Sequence, residues 1–163
     1  MLPGKGCALN QSTFSLRVLV RYYKIVMMST KQRVLVVDDE PGVIRFVKIN
    51  LTLAGFEVVT TTNGEEALPL IASEKPDILL LDILMTPITG FDILVELRTF
   101  SQLPVIVFTA RNDIGAIAIK EGANGFIAKP FKPDELIKKI QEILEAKETD
   151  VQADGRLTSP EES

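Results

Sequence analysis

Ile78-Leu79-Leu80-Leu81-Asp82 is an unbroken apolar run that ends on a carboxylate. A second run, Val34-Leu35-Val36-Val37, ends on the acidic pair Asp38-Asp39. Continuous Val/Ile/Leu runs of this length, without polar alternation, mark strands buried on both faces, as in a parallel sheet. In open α/β sheets ligands collect just beyond the carboxyl ends of the strands. Asp82 and Asp38-Asp39 therefore belong at one end of the sheet. Runs ending at Thr109 and at Lys129-Pro130 bring a hydroxyl and an ammonium to the same end. Three carboxylates, a hydroxyl and a lysine suit a divalent cation and a phosphoryl group.

Working outward, strand and helix signals alternate five times between Lys31 and Lys147. Strands β1 to β5 are expected at Val34–Asp38, Glu57–Thr61, Asp77–Asp82, Pro104–Thr109 and Asn124–Ala128. Helices α1 to α5 are expected at Pro41–Ala54, Gly64–Ser73, Gly90–Phe100, Asp113–Glu121 and Pro133–Ala146. Strands separated by single helices imply βαβ units and a parallel sheet, and right-handed crossovers put helices on both faces. The fold class is α/β, a doubly wound five-stranded parallel sheet of the flavodoxin-like kind.

Local chemistry sets the boundaries. Gly55 and Gly122 follow their helices as stops. Pro133 opens the last helix, with Asp134 and Glu135 in its first turn, where acids suit the helix dipole. Leu136, Ile137, Ile140, Ile143 and Leu144 make one apolar stripe along it. Asn63 is placed to cap α2, and Pro69 inside that helix predicts a kink or an early break. Ile114-Gly-Ala-Ile-Ala-Ile119 is apolar nearly all round; such a helix is usually buried, although it can also serve as a docking surface.

The composition bounds the function. The chain has 163 residues, 46% hydrophobic, with a net charge of -4; one domain with an ordinary core is expected. An acidic chain without a basic stripe in its core region is a poor nucleic-acid binder, so no direct nucleic-acid contact is expected. The absence of histidine excludes His-based metal sites, His general bases and Ser-His-Asp triads. The single Cys7 forms no internal disulfide, which fits a cytoplasmic location. No apolar run approaches the roughly 20 residues that span a bilayer.

The two ends differ from the middle. Residues 1–30 carry Lys5, Arg17, Arg21 and Lys24 and no acid. They read as a loose extension or a mis-assigned start, with Met28 as an ordinary one; a membrane-surface helix is the alternative. From Glu148 to Ser163 there are five acids against Arg156 alone, which reads as a solvated, disordered tail. With only that tail behind it, the 31–147 region reads as a stand-alone unit.

These pieces, in order, resemble the receiver domain of two-component response regulators: Val-Leu-Val-Val-Asp38-Asp39-Glu40-Pro41, Pro76-Asp77-Ile-Leu-Leu-Leu-Asp82, Pro87 with Gly90, Pro104-Val-Ile-Val-Phe-Thr109-Ala110, and Gly122-Ala-Asn-Gly-Phe126-Ile-Ala-Lys129-Pro130-Phe131. The resemblance covers 31–147. It implies that Asp82 is the phosphoacceptor, and that Mg²⁺ is held by Asp39 directly, by Asp38 through a water, by Asp82 and by the Leu84 carbonyl. It implies that Lys129, aimed by a cis bond to Pro130, pairs with the phosphoryl group, beside Thr109 and Ala110. Phe126 then packs inward when Thr109 moves, which switches the α4–β5–α5 face. Many family members have tyrosine at the Phe126 position, so contacts through that hydroxyl are not expected here.

The implied partners are a histidine kinase or histidine phosphotransfer domain upstream and a protein target downstream, with phosphorylation-dependent dimerisation left open. Such a protein catalyses only its own phosphorylation and dephosphorylation and is not otherwise an enzyme. One departure is Met85-Thr86-Pro87, which shifts the usual Met-Pro by one residue, so that the loop is expected to turn differently. Leu84 and Arg111 stand where the family tunes dephosphorylation. Two other readings remain: a receiver that works without phosphorylation, and a Mg²⁺-dependent phosphohydrolase of the haloacid-dehalogenase kind. The second needs an acid two residues after the nucleophile, where this chain has Leu84.

Overall fold

The computed structural model describes residues 31–154, with side chains as far as residue 147. The readings made for residues 1–30 and 155–163 lie outside the described residues. The chain runs β1 (Arg33–Val37), α1 (Pro41–Leu53), β2 (Glu57–Thr61), a 3-10 turn (Gly64–Glu66), α2 (Ala67–Glu74), β3 (Ile78–Asp82), α3 (Gly90–Arg98), β4 (Val105–Thr109), α4 (Asn112–Lys120), β5 (Gly125–Ala128) and α5 (Pro133–Asp154). The five strands form one sheet in the order β2-β1-β3-β4-β5. Every neighbouring pair is parallel. The doubly wound flavodoxin-like α/β fold expected from the sequence is the fold present.

Two cores flank the sheet because successive strand residues face opposite sides. Leu35, Val37, Leu79, Leu81, Val105 and Val107 point to the side where Ala67, Ile93, Leu94, Leu97 and Ala118 pack, from α2, α3 and α4. Val34, Val36, Ile78, Leu80, Ile106 and Phe108 point to the side covered by α1 and α5 through Val47, Leu51, Leu136, Ile140 and Leu144. Arg33 ties the opposite ends of the strands together, with Nη2 at 2.7 Å from Glu57 and its backbone N–H bonded to Asp77 Oδ2 at 2.7 Å.

Several expectations need correction. Pro69 neither kinks nor breaks α2. The helix begins at Ala67, so Pro69 lies in its first turn, where a backbone donor has no partner in any case. The segment before it is the separate 3-10 turn, and Asn63 caps that turn by accepting from the Glu65 N–H at 3.0 Å. The acidic segment from Glu148 begins as helix: α5 runs on to Asp154. No breaker stands between Ala146 and Asp154, and Gly155 is the first residue that favours a stop. Gly55 and Gly122 do end their helices, at φ 96 and 102. Helix α4 is not enclosed. Only Gly115 and Ala118 are buried, while Ile117 and Ile119 are 48% and 42% exposed.

Candidate functional site

Sheet order fixes where the site lies. From β1 the chain passes outward to β2 and returns to β3 on the other side of β1, so β1 and β3 flank the point where winding reverses. At such a point the loops beyond the two strands diverge and leave a crevice at the carboxyl ends. Asp82 is the last residue of β3, and Asp38 and Asp39 follow β1 directly. One oxygen from each of the three carboxylates lies within 4.8 Å of the others.

Each side chain is held by its own element. Asp38 is fully buried, and both of its oxygens are engaged. Oδ1 accepts from the Glu40 N–H at 2.9 Å, and Oδ2 accepts from Lys129 Nζ at 2.7 Å. Asp39 is exposed. Asp82 is nearly buried, accepts a long bond from the Leu84 N–H at 3.4 Å, and lies 3.5 Å from Lys129 Nζ. Lys129 is set by its surroundings: its N–H donates to Thr109 O at 2.8 Å, its bond to Pro130 is cis, and the next ring, Phe131, stacks on Phe108 at 5.0 Å.

Thr109 is buried. Its hydroxyl donates to Arg111 O at 3.2 Å and accepts from the Arg111 N–H at 3.0 Å. Ala110 is exposed just beyond it. Phe126 is half-buried between β5 and α4 and joins the α2–α4 core. Leu84 is 53% exposed at the mouth. The Met85-Thr86-Pro87 loop contains a second cis bond, Thr86–Pro87. The Gly90 N–H, at the start of α3, donates to Ile83 O at 3.0 Å and closes that loop against the tip of β3. Sequence reasoning gave Glu40 no separate role. Its carboxylate lies 3.4 Å from Lys129 Nζ, and the acid after Asp38-Asp39 was the available signal.

The charges are out of balance. Burial raises the pKa values of Asp38 and Asp82 above the usual aspartate range, and the Lys129 ammonium only partly opposes this. For Lys129 burial works against the charge, but the hydrogen bond and attraction of Asp38, with Asp82 and Glu40 adding, prevail and raise its pKa. Four carboxylates around one ammonium form a site short of positive charge. The oxygen-only donor set is the chemistry that Mg²⁺ prefers. Asp38, Asp39 and Asp82 therefore fit such a cation, and they are the only such group among the described residues.

A family profile described as "Response regulator receiver domain" matches residues 34–141. The chain belongs to the response regulator receiver family. This receiver is 38% identical over 120 residues to the probable transcriptional regulator ycf27 of Porphyra purpurea, covering 72% of this chain and 49% of that protein. It is 39% identical over 110 residues to the transcriptional regulatory protein KdpE of Mycobacterium tuberculosis, covering 66% and 49%. The receiver thus spans about half the length of the curated relatives it matches. Among solved structures it resembles the chemotaxis response regulator CheY4 of Vibrio cholerae, with a TM-score of 0.66 and 32% identity over 70% of this chain and 99% of that one. It also resembles the receiver domain of NtrX from Brucella abortus, with a TM-score of 0.65 and 34% identity over 69% and 98%. Among the described residues of the receiver, no helix is long and apolar enough to cross a membrane.

Proposed function

We propose that the protein accepts a phosphoryl group on Asp82 from a phosphohistidine donor in a Mg²⁺-dependent reaction and passes the change to its α4–β5–α5 face. The observation that carries this reading is the convergence of Asp38, Asp39 and Asp82 within 4.8 Å, with Lys129 Nζ 2.7 Å from Asp38 and 3.5 Å from Asp82. An Asp82 oxygen attacks phosphorus, the phosphorus–nitrogen bond to the donor breaks, and an acyl phosphate forms. Bound through Asp39, Asp82 and the Leu84 carbonyl, Mg²⁺ would neutralise charge that builds on the phosphoryl oxygens. Both Asp38 oxygens already have protein donors, which supports contact through a water rather than direct ligation. Lys129 would supply a fixed positive charge to the phosphoryl oxygens.

The resting bonds of Thr109 support a two-state response. Its hydroxyl is committed to Arg111, so it must leave that residue to reach a phosphoryl oxygen. Arg111 immediately precedes α4, and any change there is delivered to that helix and to Phe126. We assign the upstream partner as a histidine kinase or phosphotransfer domain, in the cytoplasm, and the downstream partner as a protein that reads α4–β5–α5. The two regulators compared above are named for transcription, and only the receiver portion of such a role is assigned to this chain.

Intact-mass spectrometry after incubation with acetyl phosphate and Mg²⁺ tests the reading. Wild type is expected to gain one phosphoryl adduct that EDTA prevents, and Asp82→Asn is expected to gain none. An adduct of equal yield on Asp82→Asn would rule out this acceptor. No adduct on wild type, together with no spectral response to beryllofluoride, would favour the phosphorylation-independent reading.

Loss of the phosphoryl group is expected to be slow. Leu84 has no group to orient an attacking water, and the Arg111 guanidinium is turned to Asp113 at 2.6 Å. Leu84→Asn is expected to shorten the phosphorylated lifetime several-fold in a mass-spectrometric time course. A wild-type half-life of about a minute or less would contradict the account.

A further inference from the structure

Gly115 sits on the buried face of α4, and the space its missing side chain leaves is filled by Phe126. A Cβ at Gly115 would lie 2.5 Å from Cδ2, 2.6 Å from Cγ and 2.9 Å from Cε2 of that ring. Carbon atoms in contact stand 3.5–4.0 Å apart, so the ring position and a side chain at 115 exclude each other. The glycine is not explained by its helix. Helix α4 has nine residues and no side-chain cap at its start, and a glycine inside it weakens it further. Its φ is not in the positive range, so backbone conformation does not demand glycine either. Close approach of the ring is what remains.

The ring lies between α4 and an open cleft. On one side is α4, whose first turn follows Arg111, the partner of the Thr109 hydroxyl. On the other, Phe126 lines a shallow cleft with Ile127 and with Glu135, Lys138, Lys139 and Glu142 of α5. We propose that Gly115 is a positioning residue for Phe126: it is the seat that lets the ring lodge against α4, and any side chain there drives the ring toward the β5–α5 cleft. The seat itself rests on the geometry alone. Its consequence, that a substitution at 115 presets the α4–β5–α5 face that a partner meets, rests on the receiver reading above.

A melting-temperature cycle on the full chain tests the seat. Gly115→Ala in the Phe126→Ala background is expected to raise Tm by roughly 2–4 °C, since only helix propensity remains. The same substitution beside the intact ring is expected to lower Tm. An equal gain in both backgrounds would overturn the proposal. A second measurement does not depend on the Phe126→Ala variant folding. In protein carrying fluorophenylalanine, the ¹⁹F resonance that is lost in Phe126→Leu is expected to be displaced in Gly115→Ala before any phosphoryl donor is added. An unmoved resonance would also overturn the seat. Acetyl phosphate adducts are followed in the same samples. A wild type that gains no adduct counts against the receiver reading, while the cycle and the resonance still decide the seat.

Discussion

Gly90→Ala is expected to destabilise the folded domain by about 3 kcal/mol or more, beyond the usual cost of one added methyl in a packed interior. A Cβ at Gly90 would lie 2.1 Å from Asp82 O, 2.8 Å from Ile83 Cα and 2.9 Å from Asp82 C. All three atoms are backbone, so no rotamer change relieves the contact. The conflict at Gly115 is of another kind, because a ring can turn away. Relief at Gly90 requires α3 to withdraw from β3 or the tip of β3 to move. The first exposes Ile93, Leu94 and Leu97, all essentially buried, and strains the capping box of Thr89 with Asp92. The second displaces Asp82 itself. Under the proposed function, the variant should therefore lose phosphoryl acceptance as well as stability. With a urea slope of about 1–3 kcal/mol/M, the unfolding midpoint should fall by roughly 1–3 M. Gly64→Ala is the control, since its Cβ would meet only ordinary contacts at 3.4 Å. A Gly90→Ala midpoint indistinguishable from that of the control would refute the argument.

How far the sequence was legible follows from which forces are local. Val34–Val37 and Ile78–Leu81 reveal a parallel sheet because strands buried on both faces tolerate no polar alternation, and that demand is written into every residue. Asp38, Asp39, Asp82, Thr109 and Lys129 could be placed together because parallel strands carry all their carboxyl ends to one side. The mistakes occur where position within an element decides the outcome. Pro69 is harmless in a first turn and disruptive one turn later, and a shift of the helix start from Gly64 to Ala67 settles which. Helix α4 gave no orientation because Ile114, Ile117 and Ile119 leave no polar side to face solvent. Only docking against β4 and β5 shows that Gly115 and Ala118 turn inward. The Gly115–Phe126 contact joins two elements through a side chain that is absent, so no residue pattern announces it. Glu40 was visible as an acid, but its approach to Lys129 depends on how the 129–131 segment is held by Phe131 on Phe108.

Lys129→Met is expected to lower the stability of the metal-free protein by about 2 kcal/mol at neutral pH, less than the roughly 3–5 kcal/mol for breaking a fully buried ion pair, because the Lys129 side chain keeps 16% exposure. Asp82→Asn should shift it the other way, by about 1 kcal/mol. The opposite signs follow from the surplus of carboxylates. The Lys129 ammonium stands 2.7 Å from Asp38, 3.4 Å from Glu40 and 3.5 Å from Asp82, and it is the only cation paired with them among the described residues. Burial raises the pKa values of Asp38 and Asp82, and the lysine offsets part of that rise. Without Lys129 the two buried charges face each other unopposed; without the Asp82 charge the lysine is shared among fewer acids. The pH dependence separates this from a mere packing defect. Carboxylates with raised folded values hold protons that the unfolded chain has already released, so the folded state regains stability as pH falls through those values toward the ordinary aspartate range of about 4. The contribution of Lys129, whose value is raised, is present at every pH below its unfolded value and is lost only as pH rises through the higher folded one. The deficit of Lys129→Met should therefore be full at pH 7 and shrink in acid as its carboxylates protonate. Mg²⁺ should narrow the deficit too, because loss of the ammonium leaves the carboxylates more negative and the cation binds the variant more tightly than wild type; each tenfold difference in affinity at saturating Mg²⁺ narrows the deficit by about 1.4 kcal/mol. Urea unfolding at pH 7 and pH 5, with EDTA or with Mg²⁺, measures all of this. A deficit that is the same in all four conditions would mean that Lys129 supports the fold by packing rather than by balancing charge.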